Sequence, residues 1–263
     1  MSGRILWDRG PAMGPDAKVT VPAPPPYGEF PGVAGEDVVG PSRARDILSS
    51  IGWLAAQPEE FQAEVFKRSV PVKYQAGDVI YRIGDPVGGI YGVVGGAIVA
   101  SVAPRNSTPH IVHVLTPGGW TGEGPFLSRQ PRRLELRAAI DSSAIYLPLD
   151  SMDQMAGRDP MATRRFTQIV MINLDLLLRA FYDLQDPDEH RRIALALRRV
   201  ASLENTPIPL SQAALGILSN ASRKTVNAAL RRFAREGWVK TSYRSVTIAD
   251  LKGLTHYAES AAD

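Results

Sequence analysis

The chain has 263 residues, enough for two modest domains that each bury a core. With 30 Lys and Arg against 27 Asp and Glu the formal net charge is +3, so any strongly basic surface must be local. The absence of cysteine excludes disulfides, thiolate metal sites, a cysteine-ligated iron–sulfur sensor and a cysteine nucleophile. No apolar run reaches bilayer length and no secretory start is present, so a cytoplasmic protein without a membrane partner is expected.

Residues 1–41 carry Pro22, Pro24, Pro25, Pro26 and Pro31 without periodic apolar spacing, the composition of a flexible arm. Ser42–Leu54 and Pro58–Arg68 read as helices, with Pro58 suited to a first turn and Glu59 and Glu60 to the positive helix end. From Val70 short apolar runs (Val79–Tyr81, Ile90–Val94, Ala97–Val102, Ile111–Leu115, Ala144–Leu147) alternate with glycine turns. That spacing predicts a sandwich or barrel up to residue 160, left through a short helix over Pro148–Gly157.

A single long helix follows over Met161–Leu184. Phe166, Val170, Asn173, Leu177, Ala180 and Leu184 recur at steps of four and three, the seam of a homodimeric coiled coil in residues 161–185, with Asn173 setting the register. A second stripe, Met171, Leu174, Leu178 and Phe181, runs beside it, so the helix is expected to pack on its own β-domain and on a partner helix together. Asp186-Pro187-Asp188 breaks the helix as a hinge, and Glu189–Leu203 reads as the next one.

Within residues 186–263 the decisive stretch is Leu210–Phe233. Ser211 caps a short helix, Asn220 occupies a turn, and Ser222 caps a second helix that opens with Arg223 and Lys224. Thr225, Val226, Ala229, Leu230 and Phe233 then recur at helical spacing. Gly237 ends that helix, and Trp238–Thr241 and Val246–Ile248 form a hairpin around Tyr243-Arg244-Ser245, completing a winged helix-turn-helix. From Ser211 to Thr247 seven basic residues face one acid, Glu236, a local +6 suited to phosphate. Ser222, Arg223, Lys224, Thr225, Asn227, Arg231, Lys240 and Arg244 are the candidate contacts to double-stranded DNA.

A glycine-punctuated β-roll, a long helix, an Asp-containing hinge and a winged helix, in that order over about residues 60–250, resemble the cyclic-AMP receptor protein/fumarate–nitrate regulator family. Ala221-Ser-Arg-Lys-Thr-Val226 is similar to its Ser-Arg-Glu-Thr-Val signature. The resemblance implies an α+β chain: a cyclic-nucleotide-binding-like β-roll over residues 42–160, a dimerisation helix and a C-terminal reader. It also implies a homodimeric transcription regulator acting with RNA polymerase on an inverted-repeat operator. Arg223 matches the family arginine that reads guanine; Lys224 stands where an acid is usual and Ala228 where an arginine is frequent, so a divergent operator is expected.

Trp120–Phe126 with Arg132–Arg137 resembles the family's phosphate-binding cassette. There Gly122 and Glu123 open a short helix, Glu123 takes a ribose hydroxyl, and Arg133, beside Arg132, takes the cyclic phosphate. Leu134 in place of a hydroxyl, the added charge of Glu135, Pro125 without an N–H, and Leu177 and Leu178 on the long helix all argue against cyclic-nucleotide binding in the usual way. No cofactor is therefore assigned, and a cyclic-nucleotide-responsive regulator using Glu123 and Arg133 is the alternative. A cupin-like metal protein is more remote: His110 and His113, three apart, fall on opposite strand faces. No catalytic constellation is present and no enzyme is expected.

Overall fold

The computed structural model describes residues 41–103, 110–201, 207–208, 210–242 and 245–260. The expected arm lies outside these residues except for Pro41, as do Leu203, Tyr243 and the candidate contact Arg244.

Two helices lead in, α1 (Pro41–Ser50) and α2 (Glu59–Arg68), joined through a 3-10 turn at Leu54–Ala56. Pro58 stands just outside α2, whose first turn holds Glu59 and Glu60 and whose last turn holds Lys67 and Arg68, both favourable to the helix dipole. The roll is built from β1 (Val70–Tyr74), β2 (Val79–Tyr81), β3 (Ile90–Gly95), β4 (Ile98–Val102), β5 (His110–Leu115) and β6 (Trp120–Thr121). A five-residue helix α3 (Gly124–Ser128) intervenes before β7 (Glu135–Ala138) and β8 (Ser142–Leu147). The strands form two four-stranded sheets, β1-β8-β3-β6 and β2-β7-β4-β5, and every pairing is antiparallel.

Three cores follow from the two faces of each sheet. Tyr81, Val93, Ile98, Ala100, Leu115 and Leu136 fill the roll between the sheets. Against the outside of the first sheet pack α1, α2, α4 (Leu149–Arg158) and the start of α5 (Pro160–Asp183), through Leu48, Phe61, Trp120, Met152, Phe166 and Ile169 among others. Phe166 is the centre of that cluster, with Trp53, Phe61 and Phe126 rings 5.8, 5.5 and 5.2 Å away. Truncating so enclosed a ring costs about 3–5 kcal/mol. The outer face of the second sheet, with Val99, Ile111 and Val114, belongs to the core of the C-terminal unit.

Asp159 caps α5 by accepting from the Met161 N–H, and Pro160 supplies the first helical residue. The expected seam shares one face of this helix, but its burial changes along the length. Phe166 is fully buried, Val170, Asn173 and Ala180 are partly buried, and Leu177 and Leu184 are exposed. A straight helix drifts by about 20° per heptad against a 3.5-residue repeat, and the first two turns of α5 are consumed by their own domain. The second stripe is exposed throughout, Met171 50%, Leu174 42%, Leu178 56% and Phe181 67%, and Leu177 of the first is exposed beside it at 49%.

Asp188 caps α6 (Glu189–Val200), accepting from the His190 and Arg191 N–H groups. The C-terminal unit continues with β9 (Pro207–Ile208), α7 (Gln212–Ser219), α8 (Arg223–Arg235), β10 (Val239–Ser242), β11 (Ser245–Ile248) and α9 (Leu251–Glu259). Its sheet runs β10-β11-β9, so the hairpin gains a third strand, and α9 packs on α6; neither β9 nor α9 was expected. Among the described residues no helix is long and apolar enough to cross a membrane.

Candidate nucleic-acid interface

The α7–turn–α8 unit is fixed by local chemistry at each joint. Ser211 Oγ accepts from the Ala214 N–H at 3.1 Å and Ser222 Oγ from the Thr225 N–H at 3.1 Å, so both helices start on side-chain caps. Between them Asn220 takes the left-handed conformation at φ 46°, and the Ala221 N–H bonds back to the Gly216 carbonyl at 2.9 Å. A Cβ on Gly216 would meet the Ala221 carbonyl oxygen at 2.8 Å, so the turn closes onto α7 only because that residue has no side chain.

Val226, Ala229, Leu230 and Phe233 bury one face of α8. The opposite face leaves Arg223, Lys224, Ala228 and Arg231 exposed, with Thr225 and Asn227 partly so. Arg223 and Asn227 are one turn apart, as are Asn227 and Arg231, so they form a row along the open side. Lys240 is exposed on the wing, opposite Thr247. The structure also recruits residues that sequence reasoning missed. Gln212 and the exposed Ile217 of α7 share with Asn220, Ser222 and Arg223 a mouth of about 360 Å³. Their signal was their exposure on α7, hidden because that helix is apolar nearly throughout.

Not every basic residue of the footprint is free. Arg232 donates to the Tyr257 hydroxyl at 3.3 Å and lies 4.7 Å from that ring's centroid, so its charge is turned toward α9. Arg192 of α6 holds the turn from behind, donating to the carbonyls of Ser219 and Asn220 at 2.9 Å each and of Asp186 at 2.8 Å. One guanidinium thus satisfies the orphan carbonyls at the end of α7 and ties them to the hinge. At the far end of α6, Arg199 pairs with Asp183 of α5. Burial pushes the Asp183 carboxyl above its usual range while the Arg199 charge pulls it down.

In the roll, Gly122 and Glu123 are buried, and Gly122 takes φ 99°. Arg133, which the resemblance would put on a cyclic phosphate, is exposed; the buried guanidinium is that of its neighbour Arg132. Arg132 donates to the Gly122 and Gly89 carbonyls at 2.9 Å each and stacks 4.2 Å from the Tyr81 ring centroid. Glycine makes that socket: a Cβ on Gly88 would meet the Arg132 guanidinium at 2.5 Å and one on Gly122 at 3.0 Å. Burial pushes the Tyr81 hydroxyl well up, with the Arg132 charge working against it. Asn173, expected in the dimer seam, instead faces Glu123, donating to its carboxylate at 2.9 Å. Leu177 and Leu178 are exposed one turn further along α5.

His110 is exposed on β5, whereas His113 is partly buried where α6 and α7 pack on that strand. Burial, aided by the nearby Arg199 charge, pushes the His113 imidazole down to about 4. Among the described residues no three His, Asp or Glu side chains gather as metal ligands.

Residues 71–159 match the cyclic nucleotide-binding domain family, and residues 177–257 match the Crp-like helix-turn-helix domain family. A CRP-like cAMP-activated global transcriptional regulator of Mycobacterium tuberculosis is 23% identical over 221 residues, covering 81% of this chain and 99% of its own length. A solved transcriptional regulator of the CRP/FNR family from Thermus thermophilus superposes with a TM-score of 0.57 at 25% identity, covering 73% of this chain and 99% of that one. FixK2 from Bradyrhizobium japonicum shares the fold with a TM-score of 0.62 at 22% identity, over 74% of this chain and 99% of its own.

Proposed function

This chain belongs to the Crp/Fnr family of transcription regulators, and we propose that it works as a homodimer that reads an inverted-repeat operator through α8. The observation that carries this is the Ser222-capped start of α8, which presents Arg223 and Lys224 to solvent with Asn227 one turn behind. Arg223 reads guanine by a bidentate fork and Asn227 is placed for adenine, while Lys240 and Arg244 on the wing hold phosphates. Lys224 donates and cannot accept, so it does not select cytosine as an acid at that position would. We divide the chain into an arm (1–41), a β-roll domain (42–160), a dimerisation helix (161–185) and a reader (186–263). The partner helix packs on Met171, Leu174, Leu178 and Phe181, an exposed stripe with the 3-4-3 spacing of a coiled-coil seam. RNA polymerase is the downstream partner.

The roll does not take a cyclic nucleotide in the usual way. Arg132 is already engaged by two carbonyls and a ring, Glu123 is held by Asn173, Arg133 points outward, and Pro125 removes an N–H at the start of α3. The roll acts as a scaffold, or as a sensor for a different signal. Selection of bound sequences from a random DNA pool tests the main reading. An inverted repeat with half-sites one helical turn apart, unlike TGTGA or TTGAT, is expected; absence of any enriched repeat overturns it. Calorimetry with cyclic AMP and cyclic GMP tests the second point, and micromolar binding of either overturns it.

A further inference from the structure

Outside the reader and the roll interior, a cleft of about 120 Å³ lies between α1, the end of α2 and the outer face of the first sheet, over β1 and β8. Ala44, Phe66, Val72 and Ala144 line its apolar floor, and Arg45 and Lys73 stand at its rim. Its volume matches about four waters or one bulky side chain. Arg45 lies over the Phe66 ring at 5.1 Å, and both rim cations are exposed. Among the described residues neither enters an ion pair. β1 is the edge strand here, pairing with β8 on one side only, and Pro71 and Lys73 blunt it against another strand. The surface suits anchored side chains rather than sheet extension.

The chain arrives at this spot from outside. Residues up to 40 feed directly into α1, whose first turns supply Ala44 and Arg45 to the cleft. From Val19 to Ser42 the sequence holds three acids, Glu29, Glu36 and Asp37, and no base. Glu36-Asp37-Val38-Val39 therefore puts two carboxylates and two branched apolar side chains just before the helix whose first turns line a cleft with two exposed cations and an apolar floor. Three Cα-to-Cα steps separate Val38 from Pro41, a reach of about 10 Å when extended.

We propose that Glu36–Val39 of the same chain is the occupant of this cleft. Val38 or Val39 fills the floor between Phe66 and Val72, and Glu36 and Asp37 face Arg45 and Lys73. Exposed ion pairs are individually weak, but a tethered segment acts at a high effective concentration, so modest contacts suffice. The segment then covers the face of β1 and β8 beside α1.

The absence of cysteine gives a clean background for the test. In the full chain, Val38→Cys with Ser143→Cys, which lines the cleft, is oxidised at high dilution and compared with Val19→Cys and Ser143→Cys. The proposal expects an intrachain disulfide forming at least tenfold faster for position 38 than for 19, and slowed severalfold by Arg45→Glu with Lys73→Glu. Equal rates for the two pairs overturn it, as does a disulfide formed only between chains, which would place the arm on a second copy. Amide exchange in the cysteine-free chain is a second reading independent of the engineered thiols. Faster exchange of β1 and α1 in Glu36→Lys with Asp37→Lys supports the contact, and unchanged exchange rejects it.

Discussion

The side-chain amide of Asn173 donates to Glu123 at 2.9 Å and to the Trp120 carbonyl at 3.3 Å, so one residue of α5 grips the strand and the turn that open α3. The long helix and the roll are thereby joined by a polar bond at the point where the helix leaves its own core and becomes exposed.

Breaking that grip should be measurable. Asn173→Ala leaves a buried carboxylate without its donor, and a hydrogen bond to a charged group contributes about 1.5–3 kcal/mol. Chemical denaturation of Asn173→Ala, Glu123→Ala and the double variant should give a coupling energy of about 1 kcal/mol or more. Additive losses would show that the two residues act separately.

The two stripes of α5 should separate by phenotype. Leu178→Glu or Phe181→Glu is expected to shift the protein toward monomer in sedimentation experiments with little change in the unfolding of each chain. Phe166→Ala should lower stability by about 3–5 kcal/mol, because it empties the middle of the α1–α2–α5 core. A monomeric Phe166→Ala with a dimeric Phe181→Glu would return the seam to its heptad assignment.

How far the chain was legible in sequence follows from which signals are local. Ser211, Asn220, Ser222 and Gly237 declare caps and turns within a few residues, and all four sit where their chemistry requires. The strands were legible through their glycines. The extent of burial along α5 was not, because two parallel stripes carry the same heptad step and only tertiary packing decides which residues the roll covers. Arg132 and Arg133 precede β7, so no strand period marks which guanidinium is buried. The sockets at Gly88 and Gly122 that accept Arg132 come from segments far apart in sequence. The third strand β9 spans only two residues, too short to leave a periodic signal.

On DNA, Arg223→Ala is expected to cost about 1–3 kcal/mol on the selected operator and to relax one base position, read by competition binding. Lys240→Ala should weaken specific and random DNA alike and reduce the salt dependence by about one counterion. Arg232→Ala is the internal control, losing stability through Tyr257 with little effect on the binding slope.

Acid should loosen the joint between reader and roll through His113. Its folded value of about 4 lies below the ordinary value of about 6.5, so the unfolded chain takes up a proton first as pH falls. The stability tied to the neutral ring is fully present above about 6.5. It declines below that pH, and the loss is complete below about 4. Between pH 7 and 5 it amounts to at most ~2 kcal/mol. His113→Leu should flatten the stability profile over that interval relative to the parent; superimposable profiles would remove His113 from the account.

Val99, Ile111 and Val114 on the outer face of the second sheet share one apolar core with α6, α7 and α8. The reading helix is therefore tied to the roll through α6 and α7. Turning it relative to the roll means parting an oil-like seam, and a half-parted seam has lost its contacts without gaining others. Any change in the reader's orientation relative to the roll therefore has to pass through the loss of those contacts.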